Sequence, residues 1–397
     1  MTTTKNNEHK KLNAPNLRFP EFQGEWKESS IGEMFDLYSG NTPSRLNKEH
    51  FKGTVNWISS GELKEHYIYS SKEQISEEAA KSLKLLPVGT FVIAIYGLEA
   101  EGVRGTGSII QEPSTISQAC MSFIPKGVIE NEFLYSWYKK HGNVIGIRYA
   151  QGTKQQNLSY DILEKFRIAY PNTKEQEKLN KFISLLDERI ATQNKIIEDL
   201  KKLKCAIIEK VYSEIQGKEY SYGQLFDVIN ERNKQMEYYN ILSASQEKGM
   251  VNRDDLNLDI QFERSNINTY KIVRKGDYVI HLRSFQGGFA FSDKLGVCSP
   301  AYTILRPNSL LEYGYLSNYF TSQRFIKSLV LVTYGIRDGR SINVDEWLRM
   351  KITIPPKEHQ QYIVKVIGTF ERKIEDEEAY AAQLSIQKQY LLRQMFI

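Results

Sequence analysis

Four glycine-flanked loops hold most of the side chains in this sequence that could recognise a partner by hydrogen bonding. Residues 97–108 (GLEAEGVRGTGS) set Arg104 and Thr106 among glycines. Residues 149–159 (YAQGTKQQNLS) string together Thr153, Lys154, Gln155, Gln156 and Asn157. Residues 281–292 (HLRSFQGGFAFS) carry Arg283, Ser284 and Gln286, and residues 334–343 (YGIRDGRSIN) carry Arg337, Asp338, Arg340 and Ser341. These residue types suit the reading of base edges. Arg and Lys reach O6 and N7 of guanine, whereas Gln and Asn match N6 and N7 of adenine. Glycine, lacking a Cβ, lets the backbone approach a phosphate. Ser243, Ser245, Lys248 and Arg253, within residues 240–256, and Ser59 and Ser60, in WISSGEL, could add phosphate or base contacts. Trp57 and Tyr239 beside them read as core. Any single loop of this kind could be an ordinary surface turn. The set of four argues otherwise, because the loops differ in content where the frame around them repeats.

The sequence offers little else that could do chemistry. It holds no P-loop, GxGxxG, HExxH or GxSxG pattern, and so none of the chemistry those motifs support. It lacks an Asn/Asp-Pro-Pro-aromatic signature of amino-group methylation and a Pro-Asp…Glu-x-Lys nuclease pattern. The six histidines have no metal spacing, and the three cysteines (Cys120, Cys205, Cys298) form no CxxC, so neither a zinc site nor a disulfide framework is suggested. His281, next to Arg283, reads as a structural or nucleic-acid contact rather than a base. No catalytic residue and no metal ligand is expected. A net charge of +5 over 397 residues permits a nucleic-acid partner without demanding one. No apolar run approaches the roughly 20 residues of a membrane span and no signal peptide opens the chain, so a cytoplasmic protein is expected.

The elements that must position the loops are visible as a duplication. Leu179, Ile183, Leu186, Ile190, Gln193, Ile197, Leu200, Lys204, Ile207 and Val211 step by four and three, a heptad seam on one long helix. Adding 184 to each number gives Ile363, Ile367, Phe370, Ile374, Glu377, Ala381, Leu384, Lys388, Leu391 and Met395. The polar interruptions recur in register, and so does the preceding proline, Pro171 with Pro355. An internal repeat explains this better than two unrelated amphipathic helices. The globular parts repeat too. SIGEMFDLYSG (30–40) echoes SYGQLFDVINE (221–231), PVGTFVIA (87–94) echoes RKGDYVIH (274–281), and SQACMSFIP (117–125) echoes SPAYTILRP (299–307). A helical patch, ENEFLYSWYKKH, pairs with LEYGYLSNYFTSQRF.

The expected fold class is α+β: two pseudo-symmetric α/β domains separated by two long antiparallel coiled-coil helices. The segments are an N-terminal arm (1–28), a first domain (29–172), a first helix (173–216), a second domain (217–356) and a second helix (357–397). Gly217 is expected to stop the first helix. Lys204 and Lys388 must snorkel or face a partner subunit.

With the repeat, loops and helices in view, the chain resembles the specificity subunit of type I restriction–modification systems. The likeness is carried by LRFPEFQGEW, PVGTFVIA, QGTKQQNLS, IAYPNTKEQEKLNKFISLLDERI with its LKKLK continuation, GIRDGRSIN and QKQYLLRQMF, which span nearly the whole sequence. The helix-initiating Pro…Glu-Gln and the terminal Met-Phe are its more specific features. In the second copy, KEHQQ puts His359 near a position usually read as part of Glu-Gln, a departure not expected to alter function. The resemblance implies two target-recognition domains, each reading half of a bipartite site on double-stranded DNA, with the helices setting the gap. It implies two methyltransferase subunits that use S-adenosylmethionine on adenine N6. It also implies motor-nuclease restriction subunits, working with ATP and Mg, that can join to cut unmodified DNA. The chain itself would then hold no cofactor and no catalytic site. The alternatives are a standalone duplicated DNA-binding adaptor or decoy, and an enzyme with an unrecognised site.

Overall fold

The structure, a computed structural model, describes residues 13–100, 102–152, 156–245, 248–255, 264–281, 288–334 and 341–397. The chain divides into two compact units, Met1–Asn194 with Ala379–Ile397, and Lys195–Glu378.

In the first unit a five-stranded sheet runs in the order Phe35–Ser39, Cys120–Pro125, Phe91–Ala94, Gly107–Ile110 and Tyr67–Ile68. Its pairs are antiparallel except the last, which is parallel. Successive side chains on a strand point to opposite faces, and the central strand uses both. Phe91 and Ile93 join one core with Phe35, Phe123 and Phe133. Val92 and Ala94 join another with Ile58, Leu86 and Ile110. The unit is closed by a two-stranded ladder, Lys27–Ser30 against Arg167–Tyr170. Residues 27 and 28, read from the sequence as arm, therefore already belong to a strand.

The second unit repeats this frame on its own. Its sheet runs Phe226–Ile229, Thr303–Pro307, Tyr278–Ile280 and Phe289–Phe291. Phe226 faces Pro307 just as Phe35 faces Pro125, so the duplicated residues keep their register. Again the central strand splits, with Tyr278 and Ile280 in one core and Val279 in another. The turn entering it is built around Gly276, at φ +93°, as the first unit's is around Gly89, at φ +83°. That left-handed conformation is open to glycine and strained for most other residues. The closing ladder is Lys218–Ser221 against Lys351–Ile354. Gly217 ends no helix, since the first long helix stops at Ser213. It is needed because a Cβ there would lie 2.2 Å from the Ile354 carbonyl oxygen.

One expected repeat differs. In the first unit the helical patch is a single helix, Asn131–Tyr149. In the second it is broken into Tyr319–Thr321 and Gln323–Ser328. Ser322 takes an extended backbone there, and its side chain caps the Phe325 N–H, so the helix restarts instead of continuing.

The long helices are Thr173–Ser213 and Lys357–Met395. Within the first unit, Asp187 pairs with Lys388 and Arg189 donates to the Tyr380 hydroxyl. Within the second, Lys201 pairs with Glu378 at 2.6 Å and Lys204 with Glu371 at 3.1 Å. In both cases numbers rise on one helix as they fall on the other, so the pairing is antiparallel. Lys204 and Lys388 thus neither snorkel nor wait for a partner subunit. Each finds a carboxylate on the opposite helix, and the two carboxylates, Asp187 and Glu371, are themselves 184 residues apart. Seam residues Leu179, Ile183, Ile197, Ile363, Ile367, Ile374, Leu384 and Met395 are buried, and Leu186, Ile190, Leu200, Ile207, Val211, Phe370 and Leu391 are half-buried. Toward the helix ends burial moves on one position, to Ile208 and Tyr212 and to Leu392 and Phe396, where each helix meets a globular core.

Candidate nucleic-acid interface

In the first unit the two candidate loops meet. Beyond the central strand the chain continues as a ladder, with Leu158 N donating to the Ile95 carbonyl at 2.8 Å and Leu98 N to the Gln156 carbonyl at 3.0 Å. Gln151 and Asn157 exchange two backbone hydrogen bonds at 2.8 Å. Arg104 lies across Gly146 of the Asn131–Tyr149 helix, so closely that a Cβ on Gly146 would sit 2.5 Å from its Cγ. Its Nη2 donates to Gln156 Oε1 at 3.3 Å. The next residue, Gly105, at φ +73°, leaves 2.9 Å between a Cβ and the Asn143 nitrogen. Glycines here therefore let a loop lie flat on a helix. Glu99 accepts from the Gln156 N–H at 2.7 Å, and that bond holds its carboxyl below the usual range.

Arg104, Gln156 and Asn157 are thus brought together, each half-buried. Thr106 is close in sequence but turned inward, its hydroxyl donating to the Val103 carbonyl at 2.7 Å. Thr153, Lys154 and Gln155 lie outside the described residues. Ser59 caps a short turn with Glu62, which accepts from its hydroxyl at 2.6 Å.

In the second unit, Ser243 and Ser245 lie on a hairpin of strands Leu242–Ser245 and Gly249–Asn252. Ser245 Oγ accepts from the Lys248 N–H at 3.3 Å, and the Lys248 side chain is exposed. Arg253 follows the hairpin, half-buried, its N–H bonded to the Ile241 carbonyl. The hairpin packs beside strand Phe289–Phe291, since a Cβ on Gly249 would meet the Phe291 carbonyl at 2.4 Å. His281 ends the central strand, and burial pushes its imidazole below the ordinary value. Arg283, Ser284, Gln286, Arg337, Asp338 and Arg340 lie outside the described residues. Ser341 opens a strand, Ser341–Ile342, paired with Thr333–Tyr334. Trp57 is buried as expected, but Tyr239 is 69% exposed. Its neighbour Tyr238 packs inward instead, against Ile267, Ile272 and Val297. An alternation read one residue out of phase explains the error.

Sequence reasoning missed what holds each domain to its helix. Gln176 is fully buried near the start of the first helix. It accepts from the Glu130 N–H at 3.0 Å and donates to the Val128 and Pro171 carbonyls, both at 3.0 Å. Gln360 does the same in the second unit, accepting from Glu312 N–H at 2.8 Å and donating to the Leu310 and Pro355 carbonyls at 3.0 Å. A primary amide has the two donors and the acceptor that this junction demands. The signal was present, because the two glutamines are 184 residues apart.

Among the described residues no His, Cys, Asp and Glu group is arranged to hold a metal ion, and no helix is long and apolar enough to cross a membrane.

The model of the type I restriction modification DNA specificity domain matches twice, over residues 23–202 and 216–385. The MjaIX specificity subunit of Methanocaldococcus jannaschii is 27% identical over 212 residues, 51% of this chain and 48% of that protein. The EcoR124I/EcoR124II specificity subunit of Escherichia coli is 30% identical over 211 residues, 52% of this chain and 48% of that protein. The chain spans about half the length of the curated relatives it matches. The fold is shared with the crystal structure of a type I restriction–modification S subunit from M. genitalium, at a TM-score of 0.55 and 16% identity, over 97% of this chain and 99% of that one.

Proposed function

The chain belongs to the type I restriction modification DNA specificity family and carries its domain twice, and on that premise we propose that it is a DNA-sequence reader with two heads. Each domain reads one half of a bipartite site, the paired helices set the gap, and the chain docks two methyltransferase subunits and, with them, motor-nuclease subunits. The observation that carries this reading is a repeated frame with unlike loops. The registers Phe35–Pro125 and Phe226–Pro307 agree, as do the Gln176 and Gln360 junctions. The loops at matching places differ in sequence, residues 97–108 from 281–292 and 149–159 from 334–343. The candidates among the described residues are Arg104, Gln156 and Asn157 in one unit and Ser243, Ser245, Lys248 and Arg253 in the other. Thr106, whose hydroxyl is already engaged, is the weaker candidate. The candidates outside the described residues, from Thr153 to Gln155 and from Arg283 to Arg340, belong to the same proposal.

The chemistry of the task favours two heads. A partner methyltransferase that reaches adenine N6 must take the base out of the stack, at a cost of a few kcal/mol. One small domain's base contacts would struggle to supply that and discriminate as well. Two tethered domains gain from effective concentration when the tether matches the gap. The test is methylated-adenine mapping in cells carrying this chain and its methyltransferase. Seven residues inserted into both helices, at positions 184 apart, keep the seam in phase. The expected outcome is a longer gap with both half-sites unchanged. Changed half-sites with an unchanged gap would defeat the reading. Arg104→Ala is expected to relax one half-site only, by about tenfold for one lost base contact.

A further inference from the structure

His66 sits where the first domain meets its helices, with a side chain only 10% exposed. Both ring nitrogens face carboxylates: Nδ1 lies 3.1 Å from Asp187 Oδ2 and Nε2 lies 2.9 Å from Glu132 Oε2. Ionised carboxylates only accept, so both nitrogens must donate, which requires the imidazolium. The ring is sandwiched between Tyr67 and Tyr135, with centroids 4.0 and 3.9 Å away and planes within 9° and 2°. Two π faces favour a cation. The groups come from four elements. Tyr67 and Glu65 flank His66 itself, and Glu132, Tyr135 and Lys139 lie on helix Asn131–Tyr149. Asp187 lies on the first long helix, and Lys388, which donates to Asp187, lies on the second.

We propose that His66 is a positioning residue, an imidazolium that fastens the first recognition domain to the paired helices and so fixes the angle at which that domain presents its loops. This rests on the reading of that domain as a DNA reader. Among the described residues the second unit shows no such contact. With the 182-residue offset that carries Glu130 onto Glu312, Glu132 falls on Gly314 and Tyr135 on Ser317, so both the acceptor and the stacking ring are missing. Both domains have the buried glutamine. The first adds the His66 charge, whereas the second adds neutral or exposed contacts, such as the Tyr212 hydroxyl to the Tyr315 carbonyl and the Gln323 N–H to Glu209.

The fastening depends on pH. Burial lowers the His66 imidazole, but Asp187 and Glu132 outweigh it and raise it above its ordinary value. A raised value means that the contribution is complete below about pH 6.5 and is lost as pH rises through the folded value. Lys139 works in the opposite sense. Burial, with Lys388 adding repulsion, pushes it down to about 8, so its penalty lifts as pH rises. Asp187 stays ionised across this window. Burial raises its carboxyl, but the His66 and Lys388 contacts pull it below the usual range.

The experiment compares the full chain with His66→Gln, which is neutral, and His66→Arg, a permanent planar cation that can stack and donate to both carboxylates. Amide exchange at strand Tyr67–Ile68 and the first turn of Asn131–Tyr149 is followed from pH 6 to 8.5 and corrected for intrinsic rates. Wild-type protection is expected to fall by about tenfold as pH rises, the loss of one charge-assisted hydrogen bond. The Gln variant is expected to be poorly protected throughout, and the Arg variant protected throughout. A flat wild-type profile, or a Gln variant that matches wild type, overturns the proposal. With the partner methyltransferase, His66→Gln is expected to raise off-site methylation at one half-site by about tenfold, and His66→Arg to restore discrimination. The expected exchange profile with unchanged methylation would leave the DNA-reading function standing and remove the positioning role. No sequence-selective methylation by wild type would defeat both.

Discussion

At the start of the first long helix, Glu175 accepts both prongs of Arg18, each at 2.7 Å, and the Trp26 indole N–H at 3.3 Å. At the matching place on the second helix, His359 is exposed. The difference lies in what precedes each domain. The N-terminal arm runs into the first unit, where Leu17 N donates to the Gln394 carbonyl at 3.0 Å and Phe19 packs edge-on against Phe182. The second domain is entered from a helix and has no arm to hold. One residue further on, the two copies agree again, Gln176 and Gln360 making the same three bonds. Here the junction that each copy makes with its own helix stays identical. The contacts that depend on what lies upstream diverge.

This comparison can be broken at three levels. The largest effect is expected at the shared junction. Gln176→Leu and Gln360→Leu each strand a buried N–H and two carbonyls, and each should cost about 3 kcal/mol, measured by denaturant unfolding. Unequal losses would mean that the two junctions are not equivalent. The next effect should be one-sided. Glu175→Ala leaves Arg18 and Trp26 without their acceptor and should cost about 2 kcal/mol, whereas His359→Ala should change stability by less than about 0.5 kcal/mol. Amide exchange at residues 16–26 would show whether the arm is released. The smallest effect is expected along the seam. Lys204→Met and Lys388→Met remove partly exposed ion pairs and should each cost less than about 1 kcal/mol. The Lys388 change should be the larger, because its side chain is 16% exposed against 25% for Lys204. A thermal-unfolding comparison that reversed this order would count against burial as the cause.

Much of the frame was legible in the residues. The seam needed only a four–three spacing, because a helix exposes its periodicity to inspection. The strands needed only short β-branched and aromatic runs between turn residues. The site was harder to read. Thr106 has the right type but spends its hydroxyl on its own turn, and Tyr239 is one residue out of phase with the side chain that packs. Hydrogen-bond partners chosen by the fold mark the spacing only where both copies share them, as Gln176 and Gln360 do.

The sequence by itself determined that the chain is built twice, that each half launches a long helix from a proline-ended strand, and that two lysines interrupt the seams in register. These are properties of repetition and period, and they survive without coordinates. Only the tertiary structure decided that those lysines meet Asp187 and Glu371, that Arg104 lies on Gly146 beside Gln156, and that His66 stands between two carboxylates and two tyrosines. Such contacts join residues tens to hundreds of positions apart. A side chain's chemical type says what it can bond, and the fold alone says what comes within 3 Å of it.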